Sequence, residues 1–108
     1  ALAADTEEDA WYQFQSRARW RMDRNRGRVG PLLSPEEAVK DVSPQEMAEM
    51  MAMRETALVG NPVQAADKLR ALAKQLELDE LVVCSWTHDP AVQLRSFELL
   101  AKAMGLVP

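Results

Sequence analysis

At 108 residues and 12.1 kDa the chain is the size of one ordinary domain, which excludes a multidomain enzyme. With 47% hydrophobic residues, 28% charged residues and 4 glycines, it is excluded from the disordered, collagen-like and disulfide-rich classes. The net charge of −4 hides three blocks: residues 1–10 carry −4, residues 11–30 carry +5 and residues 31–108 carry −5.

The opening Ala1-Leu2-Ala3-Ala4 stands directly before a helix start, as a short strand end would. Such an opening points to a processed product or to a piece of something longer. Thr6 then supplies a capping hydroxyl ahead of Glu7, Glu8 and Asp9, acids suited to the positive end of a helix, and predicts a helix over about 6–25. On that helix Arg17, Arg21, Arg24 and Arg28 form one stripe beside an apolar stripe of Trp11, Phe14, Ala18 and Met22. Arginines interleaved with aromatics can bind nucleic acid, but the acidic remainder of the chain would repel phosphates. The stripe therefore reads as a solvated or ion-paired face, and nucleic acid is not expected as a partner.

After a loop over 26–33 containing Gly27 and Gly30, three starts follow one pattern: Ser34-Pro35-Glu36-Glu37, Ser43-Pro44-Gln45-Glu46 and Asn61-Pro62-Val63-Gln64. Each combines a cap, a proline at the first helical position and an acid or amide placed to reach back. They predict helices over about 35–41, 44–58 and 62–76, with core faces of Met47, Met50, Met51, Arg54 and Leu58, then of Ala65, Leu69, Leu72 and Leu76. Asp89-Pro90 opens a last helix over 90–104, which Gly105 ends as a left-handed cap.

One stretch reads as a parallel strand, 80–86, where Leu81, Val82, Val83 and Cys84 are apolar on both faces. The order helix, strand, helix implies an α/β layout with part of its sheet supplied from elsewhere. The apolar runs fall far short of the roughly 20 residues that span a bilayer, so no membrane role is expected. The single cysteine, Cys84, suits a reducing compartment, and the cytoplasm is the expected location.

In succession, several segments resemble one family. They are Ala3-Ala4-Asp5-Thr6-Glu7-Glu8 with Ala10, Arg26-Gly27-Arg28 with Gly30-Pro31-Leu32, and Val59-Gly60-Asn61-Pro62. Ala66, Leu69, Leu72 and Ala73 follow, then Asp79-Glu80-Leu81-Val82-Val83, Thr87-His88-Asp89-Pro90 and Leu94-Arg95-Ser96-Phe97-Glu98-Leu99-Leu100-Ala101. The chain resembles the C-terminal part of the luciferase-like, flavin-dependent oxidoreductases and monooxygenases, which fold as (β/α)₈ barrels. The resemblance implies a helix-rich C-terminal portion of such a barrel, with the strand at 80–86 and a short strand at 1–4. It also implies reduced flavin mononucleotide (FMN) or a deazaflavin as cofactor. A complete barrel needs roughly 250 residues, so the segment is expected to be inactive alone and not to hold flavin by itself.

Ligands of such barrels sit at the C-terminal ends of the strands, which singles out Ser85, Trp86, Thr87 and His88 as a cofactor- or substrate-pocket rim. His88 can serve as an acid or base near neutral pH, or merely bond nearby backbone ahead of the Asp89 cap. Cys84, in an apolar run, reads as a small core residue. No catalytic triad is found, and one histidine with one cysteine makes no metal site. The expected partner is a second copy of the chain or the missing barrel portion, with Leu81–Cys84 or Ala1–Ala4 pairing across chains. The alternatives are a non-catalytic, self-associating interaction module and an Arg-stripe nucleic-acid binder.

Overall fold

The computed structural model describes residues 1–106. Strand β1 (Leu2–Ala3) leads into helix α1 (Glu7–Asn25), followed by α2 (Pro35–Ala38), α3 (Pro44–Ala52) and a 3₁₀ turn at Met53–Glu55. Strand β2 (Val59–Gly60), helix α4 (Pro62–Gln75) and helix α5 (Pro90–Ala103) complete it. β1 and β2 are parallel, with Leu2 opposite Val59 and Ala3 opposite Gly60. The sheet is thus two short parallel strands in a helix-rich chain.

Local chemistry sets the helix starts. Thr6 accepts the Asp9 N–H at 3.1 Å. Ser43 with Glu46 and Asn61 with Gln64 close full reciprocal capping boxes, at 3.1 Å for both bonds of the first and 2.9 Å for both of the second. Ser34 makes only the forward bond to the Glu37 N–H, because the Glu37 carboxylate turns to the Ser34 hydroxyl at 3.1 Å. Gly27 and Gly105, with φ of +78° and +74°, close α1 and α5 in the left-handed region.

Two helix ends differ from the sequence reading, and one strand was not expected. The helix expected over 35–41 stops at Ala38, since Asp41 turns left-handed at φ +54°. The helix expected over 44–58 stops at Ala52 and tightens into the 3₁₀ turn, which releases Leu58 and Val59 to reach the edge of β1. β2 itself carries no alternation signal, because one of its two residues is a glycine.

The strand expected at 80–86 is corrected more deeply: residues 81–87 belong to no strand. Leu81 and Val83 are half-buried and Ser85 is buried, while Val82, Cys84 and Trp86 are exposed. Burial therefore alternates as in a half-buried strand, but the chain covers only one face and provides no ladder. The exposed thiol of Cys84 also corrects its reading as a core residue.

Each face of β1 meets different helices. Leu2 and Ala4 join Ala10 and Val59, with Trp11 and Phe14 packed against them. Ala3, on the opposite face, joins Ala65, Leu69 and Leu100, with Leu81 and Val83 alongside. A third cluster, Ala18, Met22 and Met50, ties α1 to α3. Met50 is thus core, whereas Met51 is 46% exposed.

The two edges of β1 are occupied differently. The N–H groups of Leu2 and Ala4 donate to Leu58 and Gly60 of the β2 side at 2.9 and 3.2 Å. On the other edge the Ala1 amine donates to the Cys84 carbonyl at 2.9 Å and the Ala3 N–H to Ser96 Oγ at 2.9 Å. Residues 84–85 therefore lie along the edge of β1 opposite β2.

Candidate functional site

In parallel α/β folds ligands gather at the C-terminal ends of the strands, and here that end is built by the segments leaving β1 and entering α5. A cleft of about 400 Å³ is lined there by Asp5, Asp9, Tyr12, Gln13 and Arg95, with Ala4 at its base. Asp5 stands two positions past β1 and faces Arg95, on the second turn of α5, with a 2.8 Å ion pair. The Arg95 hydrogen bond holds the Asp5 carboxyl below its usual range, while Asp5 and Glu98 hold the Arg95 guanidinium above its own. Beside it the Tyr12 hydroxyl donates to Glu36, which raises the Tyr12 phenol and lowers the Glu36 carboxyl.

A second polar chain joins α1 to α4 at the same end. Gln64, while closing the Asn61 capping box, donates from Nε2 to Glu7 at 3.0 Å. This bond is the largest cause holding the Glu7 carboxyl low, ahead of the bond from Trp11.

The four rim residues do not converge on one pocket. Ser85 donates to the Ala1 carbonyl at 2.5 Å and lies 3.5 Å from Ser96, so it serves the edge of β1. Trp86 leaves the strand ends altogether and stacks on Trp20 of α1, with centroids 6.3 Å apart and planes 16° from parallel. Thr87 donates to the Asp89 carbonyl at 2.8 Å. His88 is exposed, and its charge contributes a minor part of the field that lowers Glu36.

Asp5, Tyr12 and Arg95 are the residues that the sequence reading missed. Asp5 was accessible to the rule that singled out residues 85–88, since it directly follows the strand expected at 1–4. Arg95 was not, because its partner is 90 positions away. The arrangement offers charge recognition, and the bond to Glu36 raises the Tyr12 phenol, which keeps it protonated. Among the described residues, no group of three His, Cys, Asp or Glu side chains is placed to hold a metal ion.

The cleft does not suit a flavin phosphate. Two carboxylates, Asp5 and Asp9, line it, and Arg95 is already engaged by Asp5 and Glu98. Among the described residues, no helix is long and apolar enough to cross a membrane.

A helix-rich α/β segment with two parallel strands and a polar cleft at their C-terminal ends is the class that this architecture defines. Its resemblance to luciferase-like monooxygenases is shown by comparison. The chain is 28% identical over 99 residues to a luciferase-like monooxygenase of Escherichia coli strain K12, a match covering 91% of this chain and 30% of that protein. It is 34% identical over 101 residues to the uncharacterized protein YvbT of Bacillus subtilis strain 168, covering 93% of this chain and 30% of that one. The crystal structure of apo-MsnO8 superposes with a TM-score of 0.80 at 28% identity, over 99% of this chain and 33% of that one. No protein-family model matches the chain. The chain spans about a third of the length of these relatives.

Proposed function

We propose that this chain is the C-terminal segment of a luciferase-like, flavin-dependent monooxygenase or oxidoreductase, contributing structure and one rim of the pocket, and inactive alone. The observation that carries the reading is a match over 91% of this chain confined to 30% of a luciferase-like monooxygenase. The chain is read as an arc of the (β/α)₈ barrel, completed by the remaining two thirds of such a protein. The cytoplasm, where Cys84 stays reduced, is the location that fits this reading.

Reduced flavin mononucleotide or a deazaflavin would supply the redox chemistry in the completed protein. The share of this chain would be placement. The Asp5–Arg95 pair ties the exit of β1 to α5, and the Glu7–Gln64 bond ties the starts of α1 and α4 together. Both hold loops at the strand ends, where a pocket rim must be rigid. Ser85 and Thr87 contribute backbone positioning, and Trp86 and His88 remain exposed enough to meet a missing part.

The test is a flavin titration of this chain with its mass measured by light scattering. The expected result is no quenching of FMN fluorescence at micromolar concentration. A monomer that quenches it there would overturn the reading.

A second reading, a non-catalytic self-associating module, draws on one observation. An apolar cleft of about 600 Å³ between α4 and α5, lined by Leu69, Leu81, Val83, Phe97 and Met104, stands open. Since Ala1–Ala3 already has both edges occupied, that face and not the β1 edge would carry association. A concentration-independent monomer mass would exclude it.

A further inference from the structure

The Arg stripe is divided by the fold: Arg17, Arg21 and Arg24 lie on α1, whereas Arg28 lies past its end at Asn25. Arg28 pairs with Asp23 and Glu46 at 3.2 and 2.9 Å, as a surface ion pair would. Among the described residues, Arg17, Arg21 and Arg24 have no carboxylate partner. The Arg17 guanidinium carbon lies 4.8 Å from the ring centroids of both Trp20 and Trp86, and that of Arg24 lies 5.7 Å from Trp20. The aromatic faces partly compensate these charges. They leave the guanidinium hydrogens unspent, and Nη1 of Arg17 is buried without a hydrogen-bond partner.

Arg17 and Arg21 border a cleft of about 320 Å³ that Phe14, Thr56, Cys84 and Trp86 also wall. The cleft also touches Leu2 and Val59 and the residues entering β2, so it opens at the N-terminal ends of the strands, opposite to the Asp5–Arg95 cleft. No acidic residue lines it. Burial lowers the Arg17 guanidinium below its usual range, and the charges of Arg21 and Arg24 lower it further. In a protein of net charge −4, three neighbouring cations without a carboxylate partner, one with a buried donor that has no acceptor, suit the recognition of an anion.

We propose that this cleft binds a small oxyanion, a phosphate or carboxylate group, between Arg17 and Arg21. Arg17 would direct the planar fork that Trp20 and Trp86 hold in place, and its buried Nη1 would gain the acceptor it lacks. Arg21, exposed at the mouth, closes the other side. The proposal does not rest on the flavin reading, since the two clefts lie at opposite strand ends.

The experiment titrates the chain at low ionic strength with inorganic pyrophosphate in one arm and citrate in the other. The readouts are tryptophan fluorescence, which Trp20 and Trp86 report directly, and the thermal midpoint. We expect saturable binding with a dissociation constant of about 1 mM or tighter in at least one arm, weakening as sodium chloride is added. The tighter arm identifies the oxyanion. Arg21→Gln, at a side chain without a bonded partner, should weaken binding about tenfold while the unliganded midpoint holds. Arg70→Gln, on α4 and outside this cleft, should leave the affinity unchanged. Absence of saturation in both arms up to about 10 mM would overturn the proposal, as would equal weakening by the two variants.

Discussion

Ser96 Oγ accepts the backbone N–H of Ala3 at 2.9 Å, joining a helix to a strand across 93 positions of sequence. Ser96 is fully buried and Ala3 nearly so. The hydroxyl stands where the next strand's carbonyl would be, so the Ala3 amide is satisfied beyond the point where residues 84–85 meet that edge at Ala1.

Ser96→Ala should therefore leave the Ala3 N–H buried and unsatisfied, a loss of about 1–3 kcal/mol. Urea unfolding monitored by circular dichroism measures it, and hydrogen exchange at Ala3 should quicken. An unchanged midpoint would mean that the contact is spare.

Asn61→Ala and Ser43→Ala each remove one reciprocal cap, and each should cost about 1 kcal/mol. The caps belong to different helices and share no partner, so the double variant should lose the sum. Thermal melts of the three proteins decide additivity.

Gly60 is held by space and not by backbone angle. A Cβ there would lie 2.7 Å from both Cβ and Oε1 of Gln64, the residue that closes the Asn61 box. Gly60→Ala should cost about 1–3 kcal/mol by overpacking, and much of that should vanish in a Gln64→Gly background, which removes both the Cβ and the amide that the new methyl would meet. Equal costs in both backgrounds would refute the steric account.

Acid should loosen the contact between α3 and the loop that follows α1, where Arg28 pairs with Glu46. The Glu46 carboxyl is lowered to about 2 by the Ser43 backbone N–H first, then by Arg28 and the Ser43 hydroxyl. A depressed carboxyl stabilises the fold above its unfolded value of 4.5, and that contribution fades as pH falls from there toward about 2. Denaturation midpoints at pH 6, 4 and 2.5 should decline in the wild type and decline less in Glu46→Gln. Parallel declines would place the acid sensitivity elsewhere.

The helix starts were legible in the residues because a cap, its proline and its reciprocal side chain sit within four positions. Thr6, Ser34, Ser43, Asn61 and Asp89 each accept a backbone N–H two or three residues on. Such bonds need no distant partner. The run 80–86 could not be read in the same way. Its apolar residues announce an extended segment, and the alternating burial from Leu81 to Trp86 agrees, but a ladder requires a second strand alongside. The candidate site was less legible still, because Asp5 finds Arg95 across 90 residues, and Trp86 reaches Trp20 on another helix. By itself the sequence determined where the helices begin, which of their faces are apolar and which proteins the chain resembles. Only the tertiary structure decided which charges are paired and which edges are closed, because those contacts join residues whose separation along the chain carries no periodic or local signal.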